Sequence, residues 1–101
     1  MINVIYSMND DHYTYLSVKG HAESDEYGKD LICASVSSIM FGLMNAFDQT
    51  KQNIEIKELT NHIEITNNSK SELIDNYFEL VLIQLKTIEE SYGEFIKVER
   101  K

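Results

Sequence analysis

Proline is absent from this 101-residue chain, cysteine occurs once, and only nine Lys and Arg stand against seventeen Asp and Glu. One cysteine excludes an intramolecular disulfide framework and suits a reducing compartment. The formal charge of −8 argues against a nucleic-acid surface, because phosphate binding needs clustered cations. It suits solubility or a cationic partner. No apolar run is expected to reach the ~20 residues that span a bilayer. The start Met1-Ile2-Asn3-Val4 lacks the charged-then-apolar layout of a signal peptide. The expectation is a cytoplasmic protein with no membrane or direct nucleic-acid partner. What is present is ample apolar material, 43% of residues with six Tyr and four Phe, enough for one modest core in a single domain, residues 1–101.

Hydrophobic periodicity divides the chain into seven elements. Ile2, Val4 and Tyr6 alternate, Asn9-Asp10-Asp11 marks a turn, and Thr14, Leu16 and Val18 alternate again, which predicts a hairpin. Residues 20–29 carry two glycines and three acids without an apolar period and read as a loop. From Leu31 to about Lys51, Ile32, Val36, Ile39, Met40, Leu43 and Phe47 recur at helical spacing. Ile54 and Ile56, then Ile63 and Ile65 beyond Thr60-Asn61, predict a second hairpin. Ser69 with Glu72 reads as a capping box, opening a helix that stops at Gly93. Leu80 and Ile83 stand off its main apolar stripe and are candidates for a subunit contact. Ile96 and Val98 form a last strand. The order ββαββαβ predicts an α+β two-layer domain, a mostly antiparallel sheet under two long helices.

The chemistry-bearing stretch is Gly20-His21-Ala22, followed by Tyr27-Gly28 and Asp30-Leu31-Ile32-Cys33-Ala34. A thiol reacts as its thiolate, a minor species for an ordinary cysteine at neutral pH. Asp30 reads as an N-cap, which would put Cys33 at the third helical position, where unpaired N–H groups and the helix dipole favour an anion. His21 is the candidate base. Taken alone, Cys33 reads as a small packed hydrophobe sooner than as a nucleophile. The pairing with His21 gives it a chemical meaning.

Gly20-His21-Ala22, Tyr27-Gly28, Asp30-Leu31-Ile32-Cys33-Ala34 and Ser37 together resemble the Prp family, the bacterial ribosomal-processing cysteine proteases, and the element order resembles that family across nearly the whole chain. The resemblance implies an endopeptidase that removes the N-terminal extension of a large-subunit ribosomal protein, the twenty-seventh, cutting after a pair of phenylalanines. It also implies a homodimer that needs no metal or cofactor. Cys33 would be the nucleophile and His21 the base, with Cys33 and Ala34 amides as oxyanion donors. Asp30 is a helix cap or a third catalytic group. Ser37, one turn beyond Cys33, is a substrate contact or bonds its own helix. Gly20 and Gly28 read as loop hinges, Ala22 and Ala34 as substrate-binding candidates beside them, and Tyr27 as a lid or simple packing. Tyr13, Tyr15 and Phe47 line a pocket or fill the core. His12 and His62 read as exposed turn or strand residues, and a zinc site built from them lacks ligand spacing. Two other readings use the same residues: a non-catalytic acidic adaptor that binds a ribosomal protein, and a single-thiol redox sensor, which would not need His21.

Overall fold

The computed structural model describes residues 1–20 and 29–101, with side chains of α1 from Leu31 onward. Its elements are β1 (Ile2–Asn9), β2 (His12–Lys19), α1 (Lys29–Thr50), β3 (Ile54–Leu59), β4 (His62–Asn67), α2 (Glu72–Tyr92) and β5 (Ile96–Arg100). The five strands form one sheet in the order β3-β4-β2-β1-β5. Every neighbouring pair is antiparallel except β1 with β5, which run parallel. This is the predicted α+β arrangement, and its two layers follow from the register. Val4 stands opposite both Val18 and Val98, Leu16 opposite Ile65, and Ile65 opposite Ile56. Side chains alternate along a strand, so these residues share one apolar face, and both helices cover it.

The core runs from that face into the helices. Ile2, Val4, Leu16, Ile65 and Ile96 meet Ile32, Val36, Met40, Leu43 and Phe47 of α1 and Ile74, Phe78, Val81, Leu82 and Leu85 of α2. Phe78 sits at its centre, stacked on Tyr13 at 5.6 Å and tilted against Phe47 at 5.5 Å. Tyr13 and Phe47 are therefore core residues. Tyr15 lies on the opposite, open face, where its hydroxyl donates to Glu64.

Three local expectations need correction. The cap of α2 is Ser71, not Ser69: Ser71 Oγ accepts from Ile74 N–H. Ser69 is held by Asn67, whose Oδ1 accepts from both its backbone N–H and its hydroxyl. Spacing to an acidic residue favours the wrong serine, since Glu72 stands three residues after Ser69 and Ile74 three after Ser71; that test ignores the buried asparagine. Ser71→Ala should cost about 1 kcal/mol in urea unfolding; no change would show the cap to be redundant. Second, α1 begins at Lys29, so Asp30 lies inside the first turn and is not the residue that precedes it. Third, the segment Leu31–Thr50 is long and apolar enough to cross a membrane by length and composition, with mean hydropathy 1.5. Exposed Leu31 and Phe41, with Asp48 as the one charged residue of the segment, keep hydropathy high between the core positions. One face of it, from Ile32 to Phe47, is packed into the core, which is the pattern of a core helix.

The first hairpin turns through Asp10 and Asp11 at positive φ, the geometry of a tight two-residue connection. Its far end is tied to α2: the Asp75 carboxylate accepts from Tyr13 N–H at 3.0 Å and lies 2.6 Å from His12 Nδ1. His12 is thus a half-buried structural partner.

Candidate active site

The end of the sheet nearest the first turns of α1 is where the site forms. β2 ends at Lys19, and Gly20 N–H donates to the carbonyl of Asn61 at 2.9 Å. This bond ties the end of β2 to the turn between β3 and β4. Gly20 has φ +93°, and a Cβ placed there would stand 2.5 Å from the Met1 carbonyl oxygen. Both facts demand glycine. Gly20 acts here as a fixed, close-packed anchor rather than the swivel its loop position suggests. His21 is the next residue of the chain.

Cys33 lies on the same end of the fold. It is half-buried, forms no disulfide and packs against the core. It lines a cavity of about 430 Å³ whose other walls are Val36, Ser37, Met40 and Phe41 of α1 and Glu58, Leu59, Asn61 and Ile63 of the second hairpin, with Gly20 at one edge. Such a volume is in the range of small-ligand and peptide side-chain sites. Ser37 is exposed and lines the cavity, one turn from Cys33, as its spacing predicts. The helix-backbone bond considered for Ser37 is made by Ser35, whose hydroxyl donates to the Leu31 carbonyl at 2.8 Å.

The earlier start of α1 changes the electrostatics. With Lys29 as the first helical residue, Cys33 is the fifth and not the third. Its amide and that of Ala34 then fall within the i→i−4 ladder, bonded toward Lys29 and Asp30. The unpaired donors of a helix belong to its first turn, so Cys33 and Ala34 amides do not serve as an oxyanion hole in this form. The dipole, which acts chiefly over the first turn, also contributes less at Cys33 than the third position would receive. Ala34 is exposed and is not part of the cavity wall.

His21, Ala22, Tyr27 and Gly28 lie outside the described residues, as does the side chain of Asp30. His62, by its sequence an ordinary strand residue, edges the Cys33 cavity. Its ring is engaged on the other face of the sheet, with Nε2 3.2 Å from Ser17 Oγ and 3.3 Å from Glu64 Oε1. The cavity's hairpin wall is the part that sequence reasoning misses. Its one sequence signal is a break in alternation: after Ile54 and Ile56, the next residue on the apolar face is Glu58, and Leu59 beyond it is exposed.

Comparison with known proteins agrees with this geometry. The family model described as cysteine protease Prp matches residues 1–97. The ribosomal processing cysteine protease Prp of Staphylococcus aureus is 35% identical over the full length of both chains. The Mycoplasma genitalium protein of the same name is 32% identical, covering 97% of this chain and 94% of its own. The crystal structure of the S. aureus protease with a substrate peptide matches over all of both chains, with TM-score 0.90 and 31% identity. That of the same protease with a covalently linked product peptide matches over all of both chains at TM-score 0.89. A full-length family match, a shared fold and a lone cysteine lining a cleft at the start of α1 converge: this chain belongs to the cysteine protease Prp family.

Proposed function

We propose that the protein is a processing endopeptidase in which Cys33 is the nucleophile and His21 the general base, and that it removes the N-terminal extension of a large-subunit ribosomal protein, the twenty-seventh, after an aromatic pair. The observation that carries this is the position of Cys33, the chain's only thiol, in an apolar-walled cavity at the point where the backbone leading to His21 is anchored. The relatives' names as ribosomal processing proteases and the peptide complexes of the S. aureus enzyme support the same substrate class.

The chemistry follows from the two side chains. His21 takes the Cys33 proton, and the sulfur attacks the scissile carbonyl to give a tetrahedral oxyanion. The imidazolium then protonates the departing amine as the C–N bond breaks, leaving a thioester on Cys33. Water, deprotonated by the same imidazole, hydrolyses it and restores the thiol. No metal or cofactor enters any of these steps. Val36, Met40, Phe41 and Ile63 offer the apolar surface that an aromatic side chain needs.

Mixing enzyme with an aromatic-pair peptide and quenching in acid tests the scheme. The intact mass should rise by that of the N-terminal fragment less one water, on Cys33. Neither adduct nor product at saturating peptide would reject it in favour of the adaptor reading. Alkylation separates the redox reading: iodoacetamide should label Cys33 much more slowly in His21→Ala, whereas a sensor thiol independent of His21 would react unchanged.

The proposed assembly is a cytoplasmic homodimer without nucleic acid. Leu73, Leu80 and Ile83 on α2 are about half exposed, a face suited to a second copy. Sedimentation should give twice the 11.7 kDa chain mass, and a monomer at micromolar concentration would contradict this. The net charge of −8 should speed capture of a cationic ribosomal protein. Raising salt from about 50 to about 500 mM should therefore lower kcat/KM severalfold with kcat little changed. Salt-independent kcat/KM would remove that role for charge.

A further inference from the structure

The second hairpin breaks its own pattern beside the nucleophile. On β3, Ile54 and Ile56 face the helix layer and are partly buried. Glu58, opposite Ile63 in the register, faces the same way. It therefore puts a carboxylate where the alternation calls for an apolar side chain, and it lines the Cys33 cavity. The ion pairs among the described residues are His12 with Asp75, His62 with Glu64, and Lys97 with Glu99. Glu58 is in none of them, and no Lys or Arg lines the cavity among the described residues. While the cavity is open, water solvates this carboxylate. A peptide laid across Val36, Met40 and Ile63 would remove part of that water, and an unpaired carboxylate under apolar cover is costly.

We propose that Glu58 is a specificity-determining residue: it selects peptides that carry a lysine or arginine beside the apolar side chain filling the cavity, and it disfavours neutral or acidic residues there. The inference rests on the peptide-binding reading of the Cys33 cavity. It adds to that reading a second, polar recognition element on the hairpin wall, opposite α1. Selection works in both directions, since the cation gains a partner and its absence leaves Glu58 desolvated and alone.

The test measures binding apart from cutting. Fluorescein-labelled Phe-Phe peptides, with Lys, Gln or Glu placed in turn at each position flanking the pair, are titrated by anisotropy into Cys33→Ala protein. The titrations are repeated with Glu58→Gln and Glu58→Lys added. At one flanking position, Lys should bind about five- to twentyfold more tightly than Glu when Glu58 is present. Glu58→Gln should bring the ratio near one, and Glu58→Lys should invert it. Glu55→Gln, on the open face of the same strand, should leave the ratio unchanged. A ratio that Glu58→Gln leaves intact is not compatible with the proposal, nor is an equal effect of Glu55→Gln, which would assign the preference to net charge. Cleavage by the Cys33 protein is scored separately: a charge-selective protein that cuts nothing would refute the protease reading and leave the role of Glu58 standing.

Discussion

Replacing His21 with Ala is expected to lower kcat by about 10²–10⁴-fold with little change in peptide affinity. The size of the loss follows from where Cys33 sits. As the fifth residue of α1, it lies past the turn in which unpaired amides and the dipole act most strongly on an anion. Its conversion to thiolate must then come chiefly from a base, and the leaving amine needs an acid in the next step. One imidazole supplies both functions, so its removal costs two steps. A fall in kcat/KM that came wholly from KM would instead make His21 a binding residue. In the His21→Ala enzyme the residual rate should rise with pH, because hydroxide must then replace the imidazole in removing the thiol proton.

Gly20→Ala should unfold more readily and cut more slowly than the native chain. The new Cβ would meet the Met1 carbonyl oxygen at 2.5 Å, a backbone atom that cannot rotate aside, at a φ of +93° that L residues rarely adopt. Strain and overpacking of this kind together cost about 2–4 kcal/mol, which for a domain of this size lowers Tm by roughly 10–20 °C. Relief requires the backbone to move, which would disturb the Gly20 bond to Asn61 and shift His21, its covalent neighbour. A displacement near 1 Å at a catalytic group is enough to cost about 10²-fold in rate. Gly42→Ala is the control. A Cβ there meets nothing within 4 Å, and alanine favours the helix interior by up to about 1 kcal/mol. Tm should therefore rise slightly with activity intact. If Gly20→Ala behaved like Gly42→Ala, the anchor would be unnecessary.

Local chemistry makes much of this fold legible. Ile2, Val4 and Tyr6 against Leu16 and Val18 announce a hairpin because one face is buried, and Asp10-Asp11 tolerate the positive φ that its turn requires. The stripe from Ile32 to Phe47 announces α1 for the same reason. Strand order is beyond such reasoning. The parallel pairing of Ile2 with Ile96 joins the two ends of the chain, and no local pattern encodes it. Helix starts are obscured where a nearby polar side chain competes for the role, as Ser69 does with Ser71, and where charged residues precede the first apolar position, as Lys29 and Asp30 do in α1. The nucleophile and base stand out as residue types in a short motif. The hairpin wall of the cavity does not, because Glu58, Asn61 and Ile63 reach the surroundings of Cys33 only through the fold. The irregularity at Glu58 and Leu59 is visible in the alternation. It acquires meaning only once that strand end is seen to border the cavity.

Cleavage itself tests the role of Cys33 most directly. Purified native protein and its Cys33→Ala variant are incubated with a peptide carrying the Phe-Phe extension sequence, and the products are followed by mass spectrometry. A single cut after the aromatic pair is expected from the native protein and none from the variant, with the variant still binding the peptide. Binding without cleavage by either protein would contradict the protease mechanism and leave an acidic adaptor; cleavage by both would remove Cys33 as the nucleophile.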